Sequence, residues 1–106
     1  MKSFKSAKDI RVGVIGYGGA FNMGRHHLAE MRMAGMTPAA VAELDESRLE
    51  VARADYPGIE TYTSVAAMLK KSEVNLVTII TPHNTHAKIA LQCLHAKRHV
   101  VCEKPL

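Results

Sequence analysis

At 106 residues the chain has room for one small domain. A composition of 47% hydrophobic and 5% aromatic residues argues against disorder and points to a core of Val, Ile, Leu, Ala and Met, as in alternating α/β structure. The net charge of +4 comes from Lys and Arg scattered along the chain. There is no basic stripe with interleaved aromatics, which argues against a nucleic-acid partner, and no apolar run approaches the ~20 residues of a membrane span.

Met1 to Asp9 reads as a polar N-terminal tail with no apolar segment of signal length after it. The only cysteines, Cys93 and Cys102, lack C-x-x-C spacing and read as buried thiols in a reducing compartment, so the cytoplasm is the expected location. Ile10 to Ile15 is an apolar strand that breaks into glycines at Gly16, Gly18 and Gly19. From Gly19 a helix is expected with Ala20, Met23, His27, Leu28, Met31 and Ala34 on one face and Gly35 as its C-terminal cap. After Thr37-Pro38, Ala39 to Leu44 reads as a second strand. Asp45 then caps a helix running to about Tyr56, with Leu49, Ala52 and Tyr56 facing inward and Pro57-Gly58 ending it.

Ile59 to Thr63 is a short strand, and Ser64 caps a brief helix carrying Val65, Met68 and Leu69. Val74 to Thr81 is the strongest strand signal, β-branched and bounded by Pro82. Asn84 reads as the N-cap of a helix burying Ala87, Ala90, Leu91 and Leu94, and His99 to Cys102 as the last strand. Five strands alternating with helices imply parallel pairing through right-handed crossovers. The expected fold is a Rossmann-like, doubly wound α/β/α sandwich of strand order 3-2-1-4-5.

In such sheets ligands lie beyond the carboxyl ends of the strands, where strand order reverses. That rim collects Gly16 to Phe21, Glu43, Thr81 to His86 and Glu103-Lys104. Gly16 would supply a tight turn and Gly18 a close backbone approach to a pyrophosphate, with the next helix N-terminus holding its charge. Phe21 stands where the third glycine of G-x-G-x-x-G belongs, so Gly19 or Gly24 must take over close helix-to-strand packing if that packing exists. Glu43 falls where an acid would bind the adenine ribose hydroxyls. Asp45 competes for that role but is already accounted for as a cap, and a carboxylate there favours NAD over NADP. His83 and His86 have a three-residue step but no third ligand at a diagnostic spacing, so no metal is assigned. Lys104, fixed between Glu103 and Pro105, would be suited to orient a substrate hydroxyl or carbonyl and pass a proton.

Three segments together, VGVIGYGG (Val12 to Gly19), TPHNTH (Thr81 to His86) and HVVCEKPL (His99 to Leu106), resemble the Gfo/Idh/MocA family, named for glucose–fructose oxidoreductase, inositol dehydrogenase and the rhizopine-catabolism oxidoreductase. The resemblance implies an NAD(P)-dependent oxidoreductase of sugars, cyclitols or related hydroxy compounds. It assigns Gly16, Gly18, Gly19, Ala20 and Phe21 to the phosphate turn and Glu43 to the ribose. Thr81, Pro82, Asn84 and His86 match the loop beside the nicotinamide, and Glu103, Lys104 and Pro105 the family signature, with Lys104 catalytic. Lys97 stands where the family usually has glycine, so a left-handed turn there would be strained, and Asn75 stands where an acid is common. Family members continue into a second domain that holds the sugar-like substrate and most of the oligomer contact. The expectation is therefore a nucleotide-binding domain over residues 10–106, cut off before that substrate domain, which binds dinucleotide without turnover. The alternative is a non-catalytic nucleotide-binding or assembly module, acting as a homo-oligomer or with a partner chain.

Overall fold

The computed structural model describes residues 9–17, 23–80 and 83–102, with backbone alone at 23, 83–87 and 101–102. Strand and helix alternate as β1 (Arg11–Ile15), α1 (Met23–Met33), β2 (Thr37–Ala42), α2 (Glu46–Asp55), β3 (Glu60–Tyr62), α3 (Val65–Lys71), β4 (Leu76–Ile79), α4 (His83–His95) and β5 (His99–Cys102). All pairings are parallel and the order is β3-β2-β1-β4-β5, the Rossmann arrangement expected from the sequence.

Alternation along β1 divides the core. Val12 and Val14 join Val41, Leu28 of α1 and Leu49 and Ala52 of α2, while Ile15 joins Ala40, Val77, Met68 and Leu69 of α3 and Cys93 of α4. One helix pair therefore lies on each face, and the middle strands are buried on both, which explains their nearly continuous apolar runs. Gly13 leaves room for α3: a Cβ there would stand 3.0 Å from Val74 Cγ1 and 3.2 Å from Met68 Sδ.

The element ends differ from the sequence reading in ways the backbone explains. β2 begins at Thr37, because the β1–β2 register shifts between Val12 and Gly13 and the irregularity accommodates Pro38, which has no N–H to give the ladder. β4 is shorter than expected, although the backbones of Ile80 after it and Asn75 before it still bond β1, and Asn75 also anchors the start of the strand through its side chain. Its Oδ1 accepts from the Arg11 N–H at 2.7 Å and its Nδ2 donates to the Asp9 carbonyl at 3.0 Å. An acid could make the first bond and not the second. α4 begins at His83, so Asn84 lies inside its first turn and is not the N-cap. Its inward face carries Ile89, Ala90 and Cys93, leaving Leu91 and Leu94 58% and 49% exposed. Both face assignments satisfy helical spacing, so periodicity alone does not choose between them. Asp45 and Ser64 do cap α2 and α3, accepting from the N–H groups of Ser47 and Ala67.

Two helices end in the same device. After α1, Gly35 N–H bonds the Arg32 carbonyl and Met36 N–H that of Met31; after α4, Lys97 N–H bonds Leu94 and Arg98 N–H bonds Cys93. These are Schellman turns, which require a left-handed residue. Gly35 takes it at φ 95°, whereas Lys97 takes it at φ 61° with a Cβ, the strained turn expected from the sequence. Arg98 then donates to the Leu69 and Ser72 carbonyls at 2.8 and 3.2 Å, tying this turn to the end of α3. Replacing Lys97 with Gly should stabilise the chain by about 0.5–1 kcal/mol, the relief of strain less the added freedom of the unfolded chain. Urea midpoints would check this, and an unchanged or lowered midpoint would contradict it.

Candidate functional site

Short backbone bonds draw four strand ends into one rim. Gly16 N–H donates to the Ala42 carbonyl at 2.9 Å, Ile80 N–H to Ile15 at 2.8 Å, and Glu43 N–H to Tyr62 at 2.9 Å. Gly16 has φ 90°, so the chain leaves β1 through a conformation that glycine enters without strain. It returns at α1, where Arg25 N–H bonds the Tyr17 carbonyl at 3.1 Å. A Cβ on Gly24 would stand 2.0 Å from the Gly16 carbonyl oxygen and 3.0 Å from Tyr17 Cα. Gly24 therefore provides the close helix-to-strand contact that the sequence left open between Gly19 and Gly24.

Glu43 follows β2 directly and its side chain is 8% exposed. Oε1 accepts from Tyr17 N–H at 3.2 Å and from Arg48 Nη1 at 3.3 Å; Oε2 accepts from Asp45 N–H at 3.0 Å. Burial raises its pKa, but the Asp45 N–H, the Arg48 side chain and the Tyr17 N–H together outweigh that and hold it below the ordinary value. The carboxylate is thus ionised, fixed beside the glycine turn, and keeps acceptor capacity on Oε2. Asp45, in contrast, is turned to its own helix, accepting from the Ser47 N–H and hydroxyl at 2.9 and 2.6 Å.

A second cluster supports the turn from below. Tyr17 is 1% exposed, and its hydroxyl donates to Asp55 Oδ2 at 2.6 Å. Arg25 grips the same carboxylate with two bonds, Nε to Oδ2 at 2.7 Å and Nη2 to Oδ1 at 2.9 Å. Burial and the Asp55 bond push the Tyr17 phenol well up. Burial also raises Asp55, but the bonds from Arg25 and Tyr17 exceed it and the net shift is down. The turn, α1 and the end of α2 are thereby joined through one carboxylate. No local spacing signals a contact between residues 38 apart, and the sequence reading missed Tyr17, Arg25, Asp55 and Arg48.

Of the residues expected at the site, Gly16 and Glu43 are brought together at the rim. Asn84 and His86 have their backbone in the first turn of α4, directly after β4. Gly18, Gly19, Ala20, Phe21, Thr81, Pro82, Glu103 and Lys104 lie outside the described residues. Among the described residues, no group of three or more His, Cys, Asp or Glu could hold a metal ion. The geometry that is described fits a dinucleotide: a left-handed glycine exit, a helix start pressed against it, and an ionised acid at the end of β2.

Residues 10–106 match the sequence profile of a family described as oxidoreductases with an NAD-binding Rossmann fold. The inositol 2-dehydrogenase of Mycolicibacterium smegmatis is 36% identical over 100 residues, 92% of this chain and 28% of that protein. The inositol 2-dehydrogenase of Rubrobacter xylanophilus is 37% identical over 100 residues, covering 94% and 28%. Among solved structures, an NAD-binding protein from Listeria innocua has a TM-score of 0.79 at 33% identity, covering 91% of this chain and 27% of that one. The WlbA dehydrogenase of Bordetella pertussis, in complex with NADH and UDP-GlcNAcA, has a TM-score of 0.81 at 26% identity, covering 91% and 29%. The chain spans less than a third of the length of these relatives.

Gly24→Ala should destabilise the fold by about 2–3 kcal/mol, because backbone and not a flexible side chain meets the new methyl. A thermal melt would check it, and a neutral result would refute the close contact. Glu43 and Asp55 both sit below their ordinary values when folded, so the unfolded chain binds more protons over that range. Stability should be complete above about pH 5 and fall as pH drops from about 4.5 through the folded values. Asp55→Asn should flatten part of that fall in urea midpoints, and an unchanged slope would count against the cluster.

Proposed function

The chain belongs to the Gfo/Idh/MocA family of oxidoreductases, whose NAD-binding Rossmann domain it matches over residues 10–106, and from that premise we propose that it serves hydride transfer between NAD and a secondary alcohol of a sugar, cyclitol or related polyol. The observation that carries the cofactor half is the Glu43 carboxylate, ionised and held against Tyr17 N–H at the glycine turn. Its remaining lone pair, on Oε2, can accept from a ribose hydroxyl, and its charge opposes a 2′-phosphate, which favours NAD over NADP. The polyol half rests on the inositol 2-dehydrogenases among the relatives.

Bound NAD supplies the hydride-accepting ring. The protein's part is to position and to move a proton. Gly16, Gly18 and Gly19 let the backbone approach the diphosphate, with Ala20 and Phe21 completing that turn. Thr81 and Pro82, between β4 and α4 in the chain, and Asn84 and His86, in the first turn of α4, serve the nicotinamide side. Lys104, set by Glu103 and Pro105, orients the reacting hydroxyl and handles its proton. These 106 residues bind nucleotide without turnover on their own, since hydride transfer also needs a substrate held against the ring by a second domain.

Calorimetric titration of the chain with NAD and NADP tests the reading, alongside an activity screen with myo-inositol and sugars. NAD binding without turnover is expected; absence of binding overturns the cofactor assignment, and repeated turnover overturns the division of labour. Glu43→Ala should weaken NAD by about tenfold and NADP less, given the usual strength of a charge-assisted hydrogen bond. Equal losses would remove Glu43 from the ribose.

A further inference from the structure

We propose that the amino ends of β1, β2 and β3 carry a second binding site, apart from the crevice at their carboxyl ends, and that it takes a small organic phosphate monoester. The inference does not depend on the cofactor reading above. A cavity of about 380 Å³ opens at this end of the sheet. Arg11, Thr37 and Glu60, the first residues of the three strands, line it, as do Arg32 in the last turn of α1 and Asp55 and Tyr56 at the end of α2.

Charge in this cavity is not balanced pair by pair. The two acids are already engaged: Asp55 holds Arg25 and accepts from the Tyr17 hydroxyl, and Glu60 accepts from the Tyr62 hydroxyl. The two arginines are not. Among the described residues neither is in an ion pair, and Arg11 Nε is shielded from solvent without a hydrogen-bond partner. A buried donor with no acceptor costs stability, and a bound oxyanion would relieve that cost. Arg32 taken alone has an ordinary explanation, as a cation in the last turn of a helix. That explanation does not reach Arg11, which opens a strand.

The chemistry of the walls narrows the ligand. A guanidinium offers several N–H donors at once to a carboxylate or phosphate. Two of them without a carboxylate partner favour a dianion, and a phosphate monoester carries close to two negative charges at neutral pH. Arg32 lies over the Tyr56 ring, 5.7 Å from its centroid, and Pro38 and Ile59 add apolar surface, so an organic body attached to the phosphate has a wall to lie on. Two features oppose an anion here. One is the charge of Glu60; the other is the negative dipole end of α1 and of α2, although Gly35 and Met36 N–H groups take up the Arg32 and Met31 carbonyls. That opposition keeps the expected dissociation constant near ~1 mM for a ligand of about ten non-hydrogen atoms.

Phenyl phosphate titrated into the 106-residue chain, followed by amide chemical shifts, tests this. Saturable binding is expected, with the largest shifts at Arg11, Gly58 and Ile59 and smaller ones at Gly16 and Glu43. Shifts centred on Gly16 and Glu43, or none up to about 20 mM, overturn the proposal. Arg11→Gln should weaken binding about tenfold and Arg32→Gln at least about threefold. Unchanged affinity in either variant, when its thermal melt matches that of the unaltered chain, overturns the proposal. If Arg11→Gln does not fold, Arg32→Gln alone decides. Inorganic phosphate lacks the ring and benzoate lacks the second charge. Each should bind at least about threefold more weakly than phenyl phosphate, and equal binding by either overturns the assigned class of ligand.

Discussion

The arrangement depends on the absence of one carbon atom. Because Gly24 has no Cβ, the first turn of α1 settles against the Gly16 carbonyl, at a distance no other residue would permit. That approach lets Arg25 N–H reach Tyr17 and closes the loop between β1 and α1 at both ends. With the helix start set there, the positive end of its dipole is directed to the crevice where strand order reverses. Moving α1 outward would loosen the turn, the Arg25–Asp55 pair and the packing of Leu28 together.

The second constraint is electrostatic and lies one strand over. Glu43 gathers the chain at the end of β2, since Tyr17, Asp45 and Arg48 all donate to its one carboxylate. The N-cap of α2 and the acid at the end of β2 are thus two residues apart in the chain, with separate duties. Asp45 satisfies the helix, which leaves Glu43 to face the turn. Packing of α2 through Leu49 and Ala52 holds both in place.

Much of this was legible in the chain because Rossmann topology writes itself in short-range signals. Buried strands are continuous apolar runs, helices announce their caps, and the crevice residues fall at the strand ends. Strand order, the boundaries of β5 and the Asp45 and Ser64 caps followed from general rules of the fold and its caps, and the strained Lys97 turn from the family resemblance. What did not follow was set by three-dimensional fit. Leu91 and Cys93 compete for the inward face of α4 with equally good periodicity, and only the packing of the folded chain decides it. The choice between Gly19 and Gly24 needed the measured gap to Gly16. The pairing of Tyr17 with Asp55 spans most of α1, β2 and α2, beyond the reach of any periodic pattern.

That last pairing changes when the entropy of ordering is lost. A tyrosine that anchors the turn to a distant helix through an ionised carboxylate freezes the turn's first residues as the domain folds, long before a nucleotide arrives. The encounter then involves little rearrangement at this edge, and binding strength here reflects contact quality more than the cost of immobilising a loose segment. Evolution of a new cofactor preference could therefore proceed by exchanging side chains on a stationary frame.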